Sequence, residues 1–147
     1  FGAKAEELGI GKVLILSKDM SLPGSRSNEC TISIRGEFID QYPEAVQEFV
    51  DKLIQAGIWA DENPEEAAKI LSPYLGQEPG TILRAMNDPD GRTRYVDLFP
   101  REEEYKAFQD YMLKIKLMEK GIDIEEFVDE SFAEKAYQKY GLEKQEW

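Results

Sequence analysis

The sequence predicts an α/β, helix-rich fold with two or three strands and five to seven helices. Three observations carry this. Residues 12–17 (KVLILS) form a short apolar run with β-branched content, the pattern of a strand covered on both faces. Residues 30–35 (CTISIR) alternate, placing Cys30, Ile32 and Ile34 on one face and Thr31, Ser33 and Arg35 on the other. Beyond Gly36 apolar residues recur at three- and four-residue steps to the end of the chain.

The elements follow in order. Ala3 to Leu8 reads as the end of a helix, with Gly9 where it stops. Asp19 to Glu29 is a loop, rich in Pro, Gly, Ser and Asn. Pro43 and Glu44 open a long helix whose apolar face is Val46, Phe49, Val50, Leu53 and Gly57, with Ile54 and Ile58 beside it. Asn63 reads as an N-cap, followed by Pro64, Glu65 and Glu66 at the positive end of a helix dipole. That helix runs toward Tyr74 and ends at Gly76; a shorter one covers Pro79 to Met86. Asn87 to Gly91 is a turn, and Arg92 to Leu98 suits a short extended segment. Pro100 opens another long helix with Gly121 past its end. Asp123 to Phe127 is a helical turn, and Asp129 or Ser131 caps a last helix through Tyr140. The openings at Pro43, Pro64 and Pro100 are unevenly spaced, which excludes a solenoid.

Composition narrows the function. The chain has 147 residues, a length that suits one domain and buries a substantial core. The formal net charge is −12, and the main basic feature is the spaced Lys114, Lys116 and Lys120, so nucleic acid is not an expected partner. The sequence has one cysteine and no histidine, which removes internal disulfides, the usual zinc sites and every nucleophile that relies on His. No enzyme activity and no cofactor are expected.

Four carboxylate groups stand out: Glu6 and Glu7; Glu65 and Glu66; Glu102 to Glu104; Glu125 and Glu126. Adjacent residues on a helix diverge by about 100°, so these do not converge on one ligand. Residues 87–91 (NDPDG) lack the ligand register of a calcium loop. Cys30, on the apolar side of its run, reads as buried and inert. Tyr95, Phe99, Tyr105, Phe108 and Tyr111 read as a packing cluster around a helix entrance. Residues 25–28 (SRSN) offer a guanidinium, hydroxyls and an amide, donors suited to an oxyanion such as a sulfonate or phosphate.

The order of segments resembles a known family. Phe38 and Ile39, then Tyr42, Pro43 and Glu44, then Val46, Gln47 and Trp59, and residues 63–68 (NPEEAA) followed by Tyr74, Leu75 and Gly76, form its helix pair. Residues 90–100 (DGRTRYVDLFP) and 122–132 (IDIEEFVDESF) look like it too. The family is the substrate-binding proteins of ABC transporters, of the nitrate/sulfonate/taurine type, in their C-terminal half. The resemblance implies a type II periplasmic-binding-protein-like fold, two lobes closing on a small-molecule solute. Residues 1–147 would then be a single partial domain, the C-terminal part of the first lobe without its first half. It implies an anionic or heteroaromatic solute such as a sulfonate, nitrate or a thiamine precursor, an ABC permease as partner, and an extracytoplasmic location in the periplasm or as an anchored lipoprotein. The loop before Cys30 would face the cleft, making Arg26, Ser27 and Asn28 the expected ligand contacts. A partial lobe exposes apolar faces, so a homo-oligomer is expected. A helical protein–protein interaction module is the competing expectation; an enzyme of the pyrimidine-precursor type is disfavoured by the missing His.

Overall fold

The computed structural model describes residues 1–16, 19–20, 30–88, 95 and 97–144. Eight helices lie among them: α1 (Gly2–Glu7), α2 (Gly36–Gln41), α3 (Pro43–Glu62), α4 (Pro64–Leu75), α5 (Pro79–Met86), α6 (Glu102–Lys114), α7 (Ile124–Phe127) and α8 (Ser131–Tyr140).

The described residues contain no strand, which overturns the α/β expectation. Residues 11–16 and 31–35 carry no helix and no ladder. A strand is defined by its neighbour's hydrogen bonds, and an apolar run alone supplies only the side chains. The run expected to be buried on both faces is open: Leu14 is 91% exposed and Ile15 53%. Cys30 is likewise exposed, not buried.

The chain divides into two compact units. The first comprises Phe1–Leu16 and Ile54–Asp97, the second Ser17–Leu53 and Leu98–Trp147, and the division falls within α3. In the first unit α5 packs against α4 and α1. Ala67 and Ala68 are buried on α4, with Ile82 and Thr81 buried on α5. Alanines at such a contact let helix backbones approach closely without side-chain entropy loss. Gly76, at φ +60°, ends α4 in the left-handed region as expected, and the Ser72 hydroxyl donates to the Gln77 carbonyl at 2.8 Å. Asn63 behaves differently from its expected N-cap role. Its side-chain amide donates backward to the Trp59 carbonyl at 2.9 Å and closes the end of α3.

In the second unit Phe99 meets Tyr137 edge-on at 5.2 Å, and the Leu98 N–H donates to the Tyr137 hydroxyl at 2.9 Å. Tyr105 meets Phe127 at 6.3 Å, joining α6 to α7. The Glu130 carboxylate accepts from the Glu102 N–H at 2.7 Å, capping the start of α6 from another part of the chain. Asp123 caps α7 by accepting from the Glu125 and Glu126 N–H groups. Helix α6 stops at Lys114, short of the expected Gly121, and Lys116 lies at φ +60°. The chain then returns so that Gln109 holds Ile122 at both backbone groups, donating to its carbonyl at 3.2 Å and accepting from its N–H at 2.7 Å. Helix α2 is an element the sequence reading passed over; it ends before Tyr42 because the residue preceding Pro43 is disfavoured in helical geometry.

Candidate functional site

Arg26, Ser27 and Asn28, the expected ligand contacts, lie outside the described residues. Nearby on the described chain, the exposed Arg35 pairs with Glu37 at 2.8 Å, and Phe38 packs on Tyr42 with ring centroids 5.2 Å apart.

The polar groups that the described residues bring together form three clusters. The first joins α1 to α5. Thr81, itself buried, donates its hydroxyl to Glu7 at 2.7 Å, while Glu6 takes the Val13 N–H at 3.1 Å and lies 3.7 Å from Arg84. The Thr81 hydroxyl, with Lys4 behind it, holds the Glu7 carboxyl below its ordinary value. The neighbouring Glu6 and Glu7 thus point to different partners, as helix geometry requires.

A second cluster joins α3 to α8. The Gln47 amide donates to Asp51 at 3.1 Å and to the Phe132 carbonyl at 3.0 Å, and Lys139 closes on the other Asp51 oxygen. Lys139 is the main cause of the lowered Asp51 pKa; Gln47 adds to it and burial opposes it. The Gln47 Oε1 atom is buried without a hydrogen-bond donor among the described residues.

The third cluster surrounds the entrance to α6. Lys144 sits 4.6 Å from the centre of the Phe99 ring and reaches Glu103 and Glu130 at 3.4 and 3.6 Å. Arg101 is buried there and donates to the Phe99 carbonyl at 3.4 Å. The Glu103 carboxyl is held low, first by its own backbone N–H and then by Lys144. The buried Tyr105 hydroxyl has no partner among the described residues. The expected packing cluster is only partly drawn together: Phe99 and Tyr105 make ring contacts, to Tyr137 and Phe127, Phe108 is exposed, and Tyr95 belongs to the first unit.

Each cluster is internally compensated. Their carboxylates meet cations, hydroxyls or backbone N–H groups of the same unit, and the acid runs at 65–66, 102–104 and 125–126 sit in the first turns of α4, α6 and α7. Among the described residues no three His, Cys, Asp or Glu side chains gather as a metal site would need. No described helix is long and apolar enough to cross a membrane. Sequence reasoning missed the cluster on Asp51. Its signal was an acid at the edge of an apolar helix face, which pattern alone assigns to solvent.

No family model matches the chain, and no solved structure matches it. Over 109 residues it is 23% identical to a protein of Bacillus subtilis (strain 168) whose name describes it as an aliphatic sulfonates-binding protein. The match covers 73% of this chain and 32% of the relative, so the chain spans about a third of that protein's length.

Proposed function

We propose that the chain is part of the solute-binding component of an import system, and that its solute is a small organic sulfonate. The observation that carries this is the similarity over 109 residues to a protein named for binding aliphatic sulfonates. The proposed solute contacts are Arg26, Ser27 and Asn28. A guanidinium with neighbouring hydroxyl and amide donors suits a sulfonate, which spreads its charge over three oxygens. An ABC permease and an extracytoplasmic location belong to this reading. The protein works by binding and release, without a chemical step.

The test is calorimetric titration with methanesulfonate, taurine, nitrate and sulfate. Binding of an aliphatic sulfonate is expected, and Arg26→Ala should weaken it roughly 10- to 100-fold, the worth of a charge-assisted hydrogen bond. Absence of heat with every sulfonate at millimolar concentration overturns the reading; unchanged affinity in the variant overturns the site. A second reading, a helical interaction module, draws on the exposed Ile70, Tyr74 and Leu75 of α4. It gains if no anion binds.

A further inference from the structure

No further inference is drawn: the strongest candidate, the surface patch at the turn after α6 where Ile115 and Leu117 lie exposed among Lys114, Lys116 and Lys120, is an unpartnered apolar face, and nothing in the structure shows what covers it.

Discussion

At the scale of single residues, Asp51 shows how a charged side chain enters an apolar helix face. Lys139 and Gln47 together offset the cost of burying its carboxylate, and the acid is held below its ordinary value. An acid with a depressed pKa stabilises the fold above its unfolded value of about 4, and this is lost as pH falls through the folded value. Lys139 is held above its ordinary value by the same contact. Its contribution is present below its unfolded value of about 10.4 and lost as pH rises through the folded one. Lys139→Met should therefore move the acid limb of the stability profile to higher pH, because Asp51 then titrates nearer the ordinary carboxylate range. Urea unfolding midpoints between pH 2 and 7 check this, and superimposable acid limbs would exclude it. The sequence disclosed little of this cluster, because Gln47, Asp51 and Lys139 are brought together only by the approach of α8 to α3. The proposed contacts Arg26, Ser27 and Asn28 rest on residue type alone and lie outside the described residues.

At the scale of elements, helix limits were largely legible, and α6 is the exception at both ends: it opens at Glu102 with Arg101 as N-cap, not at Pro100, and it stops at Lys114. Pro43, Pro64 and Pro79 each open a helix, since proline fits the first turn and needs no partner for its missing N–H. The end of α6 was misplaced because the sequence offers Gly121 as the stop, whereas the chain leaves helical geometry at Lys116. Leu117 and Met118 N–H groups both reach back to the Met112 carbonyl, and Gln109 holds Ile122, so long-range bonds fix the turn. The strands were misread for a related reason: periodicity reports which side chains could be buried, while a ladder needs a second segment. Lys116 gives a prediction at this scale. A lysine in the left-handed region costs about 1–2 kcal/mol over the ordinary helical region. Glycine removes that strain but loses about 0.5–1 kcal/mol in chain entropy. Lys116→Gly should therefore stabilise the protein by about 0.5–1 kcal/mol, read as a raised urea midpoint at constant slope. A lowered midpoint would mean that the lysine side chain contributes a contact worth more than its strain.

At the scale of the whole molecule, charge is what the sequence states most directly and the division into two units what it states least. The division falls near Ile54 within α3, where no proline or polar stretch marks a boundary, because one helix supplies residues to both units. The charge has a measurable consequence. Thirty acids oppose eighteen bases, so self-repulsion favours expansion. Against this stand ion pairs such as Lys4 with Glu7, Arg35 with Glu37 and Lys144 with Glu103, all substantially exposed. Pairs of that kind contribute about 0–1 kcal/mol each and are themselves weakened by salt. The two effects predict opposite responses, and the excess of acids decides between them. Repulsion among unpaired carboxylates acts over distances longer than the Debye length of about 10 Å at 0.1 M salt, so it is screened before the close pairs are. Raising sodium chloride from about 10 to about 150 mM should therefore raise Tm by about 2–4 °C, corresponding to roughly 1 kcal/mol for a chain of this size. The measurement is a thermal melt followed by circular dichroism at one fixed protein concentration. A fall in Tm over the same range would mean that the close pairs, Asp51 with Lys139 foremost, outweigh the diffuse repulsion.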